Sequence, residues 1–388
     1  MDLYTLTDQF LTNEPIDDFT SAIWTERYSV AGDCKLVVPA TQELIDELAP
    51  DTYLALRGSK EVMILNTQSI EDNLLTVIGK TLPTFLDQRV AWFRNPVIDP
   101  ADTERIIDYT GTAKVPGAFI SDVVNKMVIN TTPLTGEFAN ANLTWDLEEI
   151  PGLSLGPVDA SGVAKRLTIP IGPLYRGISE LAEKEGVGIS LYLESASPVT
   201  GYVLKFKTYR GVDHTTGSLA PLVRLVPEMD SIQDLKEIRS NELYKNVAYV
   251  YYQGIISKHL AEPLLPEPEG MKRRVIVTSA EGEPVGRKVT TDWRWGGYSQ
   301  IVVVGPTELA AFRDQHAKDV FANANYIRSI DGQTSPQNDY KFGVDYGLGD
   351  IIELEGLTGT ISKARVTEYI RSQDKTGERE YPTISVVT

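Results

Sequence analysis

The sequence predicts an α+β fold dominated by strands, with two small β-barrel-like units flanking a mixed middle segment. Three observations predict it. Short runs rich in Val, Ile, Tyr and Thr, bounded by Gly, Asn, Asp and Pro, crowd both ends of the chain. Helical spacing of apolar residues is limited to a short run at Thr81 to Arg89, to the middle and to one long stretch beginning at Pro306. Hydrophobic residues make up 42% and charged residues 23% of the 388, the balance of a chain that buries a core. At roughly 100–200 residues per domain this length holds two to four. The expected divisions are 1–95, 96–242 and 243–388.

In the first segment, Phe19 to Tyr28 and Lys35 to Pro39 read as strands. Tyr53 to Arg57 meets Gly58-Ser59 and continues as Glu61 to Leu65. A Gly-Ser pair between such runs predicts a tight type II′ hairpin, because Gly supplies the positive φ. Asp72-Asn73 predicts a second hairpin into Leu74 to Gly79. Thr81 to Arg89 reads as a short helix with Leu82, Phe85 and Leu86 on one face.

In the middle, Thr103 to Tyr109 and Phe119 to Ile129 have helical spacing. Pro151, Gly152, Gly156, Pro157 and Gly162 mark a loop. Leu174 to Glu185 is a helix with Gly186 as its stop, and Ile189 to Leu193 and Tyr202 to Tyr209 are strands.

After Glu242, Val247 to Tyr252, Arg274 to Thr278 and Ile301 to Val304 are strands, with an exposed loop from Glu262 to Gly270. Pro306-Thr307-Glu308 opens the longest helix, at about 306–328, with Leu309, Phe312, Val320, Ala324 and Ile327 as its apolar stripe. Ile351 to Leu357, Ile361 to Ile370 and Tyr381 to Val387 are strands, the last two joined by the polar tip Asp374-Lys375-Thr376-Gly377-Glu378.

The net charge of -17, from 54 Asp and Glu against 37 Lys and Arg, argues against an adhesive nucleic-acid or anionic-lipid surface. It allows a like-charged conduit along which DNA slides without sticking. One cysteine, Cys34, excludes an intrachain disulfide; it alternates with Leu36 and Val38 and reads as a buried small hydrophobe. Met1-Asp2-Leu3-Tyr4 lacks a basic and apolar leader, and no run approaches the roughly 18–20 apolar residues of a membrane span. A soluble protein made in a cytoplasm is expected.

Of the histidines, His214, His259 and His316, none pairs with another at metal-ligand spacing, and His316 lies on the apolar stripe as a satisfied core residue. There is no Gly-x-Ser-x-Gly elbow or phosphate loop, and Gly343, Gly347 and Gly349 make no dinucleotide fingerprint. Carboxylate pairs such as Glu148-Glu149, or Asp345 with Asp350, are expected by chance among 54. Asp292-Trp293-Arg294-Trp295-Gly296-Gly297-Tyr298 is the most aromatic segment; Trp293 and Trp295 read as the inward side of a bend, the other reading being a stacking surface. No catalytic, cofactor-binding or metal-binding residue, no cofactor and no enzymatic activity are expected.

Ile16 to Tyr28, followed by Gly32-Asp33-Cys34-Lys35-Leu36, resembles the start of the minor tail (hub) proteins of long-tailed siphophages. So does Met63-Ile64-Leu65 followed by Gly79 to Arg89. Leu204 to His214 is similar to a Tyr-x-Gly-x-Asp-Arg-Thr stretch of that family, with His214 where Arg is expected. Tyr244 to Val250 also fits, and Asp345 to Ile352 resembles a Tyr-x-Leu-Gly-Asp-x-Val element. Each match is short, and together they run in the same order over nearly the whole chain.

The resemblance implies a structural virion protein, the hub of the tail tip or baseplate. It would be a homotrimer whose tail-tube-like barrels form a pseudo-sixfold ring continuing the tail tube. Implied partners are a distal tail ring, the tube and tape-measure proteins, and a central fibre or spike. DNA would pass through the lumen without specific binding, and the tail would be assembled in the host bacterial cytoplasm and serve attachment and genome ejection. Three copies would carry -51, much of it expected to face the lumen. The alternative is a receptor- or carbohydrate-binding tail adhesin with an exposed aromatic groove near Trp293 and Trp295. A cell-wall hydrolase is a third reading, against which no further domain of the usual kind is expected after the hub-like region.

Overall fold

The computed structural model describes the chain except residues 9, 92, 95–105, 108, 111–112, 131–148, 166, 171, 198–200, 227–231, 253, 262–266, 281–287, 293–298, 304–305, 325–326, 335–339, 357–358 and 387–388. It divides into two compact units, Met1–Lys236 with Ile330–Thr388, and Glu237–Ser329.

Seven strands open the chain: β1 (Leu3–Leu6), β2 (Thr12–Ile16), β3 (Ser21–Arg27), β4 (Asp33–Pro39), β5 (Tyr53–Leu56), β6 (Val62–Glu71) and β7 (Leu74–Thr81). Their alternation is the cause of their burial: Cys34, Leu36 and Val38 point inward and Lys35 outward, as period two requires. The β6–β7 turn holds Asp72 at φ 49° and Asn73 at φ 62°, the two positive values of a type I′ hairpin. Gly58 is used differently from expectation. It sits third in a turn closed by the Ser59 N–H on Leu56 O (3.0 Å), and Ala55 faces Val62, so the connection is wider than a two-residue loop. The helix α1 (Gln42–Glu47), capped by the Thr41 hydroxyl on Leu44 N–H, links β4 to β5. Leu82–Gln88 is the expected short helix, of 3₁₀ type, burying Leu82 and Leu86.

The middle of the first unit holds α2 (Pro116–Val124), continued by a π turn to Ile129, and α3 (Leu174–Glu185), stopped by Gly186 at φ 61°. Both pack on β8 (Leu153–Leu155), β9 (Gly188–Ser197) and β10 (Gly201–Tyr209), a sheet in which β8 runs parallel to β10. The Pro/Gly-rich loop therefore contains one strand. The helix expected over Thr103 to Tyr109 is corrected where the chain is described. Ile106–Ile107 pairs with Phe93–Arg94, and Tyr109–Thr110 with Thr168–Ile169. β-branched and aromatic residues lose rotamer freedom in a helix, and here they find strand partners.

Beyond lie β11 (Arg224–Leu225), β12 (Ile232–Ser240), β13 (Val247–Tyr252), β14 (Ile255–Leu260), β15 (Val275–Ser279), β16 (Lys288–Asp292) and β17 (Ser299–Val303). The helix α4 (Pro306–Asn323) precedes β18 (Ile327–Thr334), β19 (Ile351–Glu355), β20 (Ile361–Asp374) and β21 (Gly377–Val386). α4 stops short of 328. The Ala324 N–H is shared between Val320 O (2.9 Å) and Phe321 O (3.2 Å), which tightens the last turn, and Ile327 already belongs to a strand. Leu309, Phe312, Ala317 and Phe321 are the side chains that pack on Ala248, Val250 and Tyr252.

Eleven strands form one antiparallel-dominated sheet in the order β11–β19–β20–β3–β4–β7–β6–β5–β1–β2, with β21 also on β20. The register shows how β20 serves three partners. Along one edge it pairs with β21; along the other it pairs with β19 through Ile361 to Arg365 and with β3 through Glu368 to Gln373. A bulge between Val366 and Glu368 falls where the partner changes. The strand path is open, and no closed barrel occurs among the described residues, so the two expected barrel-like units are not what the structure shows. The strands of both chain ends share a sheet, with Trp24, Leu36, Met63 and Leu75 in the core on one side.

Candidate functional site

Three strings remote in sequence meet in the first unit: Tyr28 after β3, Tyr209 to His214 after β10, and Tyr346 to Asp350 before β19. Tyr28 is 2% exposed. Its ring stands edge-on to Tyr209 (centroids 5.3 Å apart), and the Arg365 guanidinium lies 5.2 Å above it. Its N–H donates to Thr367 O (2.9 Å), and its carbonyl accepts the Ile189 N–H (3.0 Å). Its hydroxyl is 3.1 Å from Gly186 O and 3.2 Å from Tyr209 O. Two glycines make room for this. A Cβ on Gly349, which has φ +88°, would lie 2.2 Å from the Tyr28 ring, and one on Gly211 would lie 2.0 Å from the Gly349 carbonyl carbon.

Asp350 ties the same knot. One carboxylate oxygen accepts the Val212 N–H (2.6 Å); the other accepts the Gly347 N–H (2.7 Å) and lies 3.3 Å from His214 Nε2. His214 Nδ1 is 2.9 Å from Pro221 O, its N–H donates to Ile351 O, and its carbonyl accepts from Val223. The side chain is buried, so its role is to lock the loop 211–223 onto β19.

A half-buried polar cluster sits where β9 and β10 meet the first strands. Glu61 bridges to Tyr192 through its backbone and accepts the Ser190 hydroxyl (2.6 Å). Lys207 Nζ lies 4.9 Å from the Tyr192 ring centroid and 4.8 Å from that of Tyr209. Burial lowers the Lys207 ammonium and raises the Tyr209 phenol. Burial, against the Ser190 hydrogen bond, pushes the Glu61 carboxyl up to about 7.

Below about pH 4.5 Glu61 is protonated in both folded and unfolded chains, and it costs nothing. Between there and about pH 7 the unfolded chain releases the proton that the folded chain keeps, so stability falls as pH rises. Above pH 7 the full cost remains, up to about 3 kcal/mol. Glu61→Gln, which retains an oxygen for Ser190, is expected to be more stable than the parent at pH 8 and nearly equal to it at pH 4.5. Urea unfolding at the two pH values checks this; equal gains at both would show that ionisation is not the cause.

The remaining candidates for chemistry are dispersed. Cys34 is 2% exposed, and burial pushes its thiol up to about 12, which makes it a packing residue. His316 is half-buried, not fully in the core, with Nε2 3.1 Å from Thr278 Oγ1. Ser257 Oγ, His259 Nε2 (2.8 Å), His259 Nδ1 and Asp314 (3.5 Å) stand in the order of a proton relay. The groove beside them, about 380 Å³, is lined by His259, Asp314, Lys318 and Phe321 and not by Ser257. Asp345 accepts the Lys341 N–H (2.7 Å), so it and Asp350 act as turn acceptors rather than as a facing pair. Glu148, Trp293 and Trp295 lie outside the described residues. Among the described residues no group of three or more His, Cys, Asp or Glu could hold a metal, and no helix is long and apolar enough to cross a membrane.

Sequence reasoning had all three strings of the joint but not their meeting. It missed Glu61, which follows Lys60 beside a turn and looks like an ordinary surface carboxylate.

The profile of the family described as Siphovirus ReqiPepy6 Gp37-like protein matches residues 3–257. No curated protein matches the chain. The fold is similar to that of the 43 kDa tail protein of prophage MuSo2 from Shewanella oneidensis, with TM-score 0.53 and 12% identity over 100% of this chain and 97% of that one. It is similar also to a tail protein from Neisseria meningitidis MC58 (TM-score 0.54, 10% identity, 100% and 96% covered). A third is prophage tail protein gp18 from Listeria monocytogenes EGD-e (TM-score 0.50, 12% identity, 100% and 95% covered).

Proposed function

Because the chain belongs to the Siphovirus ReqiPepy6 Gp37-like protein family, we propose that it is a structural virion protein of the tail tip, with no catalytic role. The observation that carries this is the likeness of fold to three tail proteins, two of them from prophages, along essentially the full length of each. A likeness confined to one unit would have left room for an unrelated activity in the rest.

Within the tail the reading is a hub: three copies close a ring that continues the tail tube, contact a distal tail ring and tape-measure protein on one side, and hold a central fibre or spike on the other. The first unit supports it physically. Strands from both ends of the chain are fused into one wide sheet, and β20 is gripped along both edges. Such a sheet resists deformation better than separate small ones, which suits a part that transmits load along a tail. Much of the acidic charge faces the lumen on this reading, and DNA passes without adhering.

Native mass of the assembled particle and a tail image at subunit resolution test it. The expected result is three chains of 42.9 kDa each around the tail axis. Density for the chain away from the axis would sink the hub reading, and a neutral or positive channel wall would sink the lumen assignment.

A further inference from the structure

The loop from Gly211 to Val223 carries an apolar tip. Leu219 is fully exposed and Leu222 is 42% exposed, so little packing holds the tip down. The loop closes instead around one buried ring, that of His214, which is 7% exposed. Backbone bonds fix its base. The His214 N–H donates to Ile351 O, the Val223 N–H to His214 O, and the Thr216 N–H to Glu353 (2.8 Å). The tip is tethered at Pro221, whose carbonyl oxygen lies 2.9 Å from His214 Nδ1.

Both ring nitrogens face acceptors. A carbonyl oxygen only accepts, so Nδ1 must carry a proton to hold Pro221. Nε2 lies 3.3 Å from an Asp350 oxygen, and both oxygens of that carboxylate already accept backbone N–H groups, from Val212 and Gly347. A bare Nε2 would set its lone pair against a carboxylate in a buried place. A neutral imidazole has one N–H and satisfies one side; the imidazolium has two and satisfies both. The other charges on the elements around the ring have partners of their own. Glu353 of β19 pairs with Arg224 of β11 (2.7 Å), Asp213 pairs with Lys363 of β20 (3.6 Å), and Arg365 of β20 donates to Gly349 O (3.0 Å). Burial raises the Tyr28 and Tyr209 phenols, which leaves both uncharged at neutral pH.

We propose that His214 is a proton-operated latch: as imidazolium it clasps Asp350 and Pro221 at once, and on giving up a proton it releases Pro221 and frees the tip. Charge decides which side is lost. A proton on Nε2 faces a carboxylate, a stronger acceptor than a neutral carbonyl, so the remaining proton stays there. Nδ1 then turns a lone pair on Pro221 O, and the segment Thr215 to Leu222 loses its tether. The knot of Tyr28, Gly349 and Asp350 keeps its bonds. Leu219 and Leu222 are thus held in one place when the ring is protonated and are mobile when it is not.

The test uses the full chain, ¹⁵N-labelled, between about pH 5.5 and about pH 8.5, the range in which histidine changes charge. Ring nitrogen shifts report the proton directly: an imidazolium gives two nearly equal values, a neutral ring two widely separated ones. His214→Gln identifies the signal among the three histidines by its loss. At the acid end of the range, equal shifts are expected, with backbone order parameters of about 0.85 at Gly217, Leu219 and Ala220. Once the shifts separate, with the proton left on Nε2, the tip values should fall below about 0.6 while Gly349 and Asp350 stay rigid. His214→Gln cannot hold both sides, so its tip should be mobile at both ends of the range. A neutral ring at the acid end, an imidazolium persisting at the alkaline end, a last proton on Nδ1, or a tip whose order ignores the ring would each overturn the latch. If His214→Gln does not fold, the parent decides: a ring signal that titrates together with tip order supports the latch, and none doing so overturns it.

Discussion

Alanine in place of Gly349 is expected to destabilise the first unit by about 3–5 kcal/mol, a large share of the roughly 5–15 kcal/mol that holds a protein folded. Two costs add. The backbone at φ +88° disfavours any side chain, and the new Cβ would lie 2.2 Å from the buried Tyr28 ring. That ring cannot yield, being held by Tyr209, Arg365 and its own backbone bonds to Thr367 and Ile189. Gly217→Ala separates the two costs: φ is +91°, but nothing lies within 4 Å. It should lose only about 1 kcal/mol. Urea midpoints of the two variants check the difference. Equal losses would mean that the joint is looser than its geometry.

Asp350→Ala is expected to cost a similar amount, about 3–5 kcal/mol, through orphaned donors rather than crowding. The Val212 and Gly347 N–H groups, bonded at 2.6 and 2.7 Å, would lose their acceptor in a buried place, and His214 would lose its partner. Asp350→Asn keeps one oxygen and turns an N–H₂ toward the other donor, so its loss should be about half. Amide exchange supplies the specific readout: Val212 and Gly347 should exchange much faster in Asp350→Ala at a pH where the protein remains folded. Unchanged protection at both amides would remove Asp350 from its assigned role.

Local chemistry was legible in the sequence; assembly was not. Asp72-Asn73 announced its hairpin because both residues tolerate positive φ, and the polar tip at 374–378 did the same for β20 and β21. Gly186 announced the end of α3. Leu153–Leu155 was hidden because its partner, Leu204–Phe206, is fifty residues away and its neighbours are Pro and Gly. β1 and β2 were hidden by their brevity and by Pro15. The union of both chain ends in one sheet leaves no periodic trace, since alternation says which face a residue occupies and nothing about which strand lies beside it. The strings that carry the resemblance contain Tyr28, Gly211 and Asp350, and the fold brings the three together: glycine, ring and carboxylate fill one knot.

That β3 pairs with β20 has a consequence during synthesis. Arg27 leaves the ribosome some 341 residues before its partner Glu368. At roughly 5–20 residues per second, the nascent β3 edge waits tens of seconds for the strand that covers it. For that interval Ile23 and Trp24 stand on an unprotected strand that other nascent chains can join, so the cell must either slow such encounters or shield the half-made sheet.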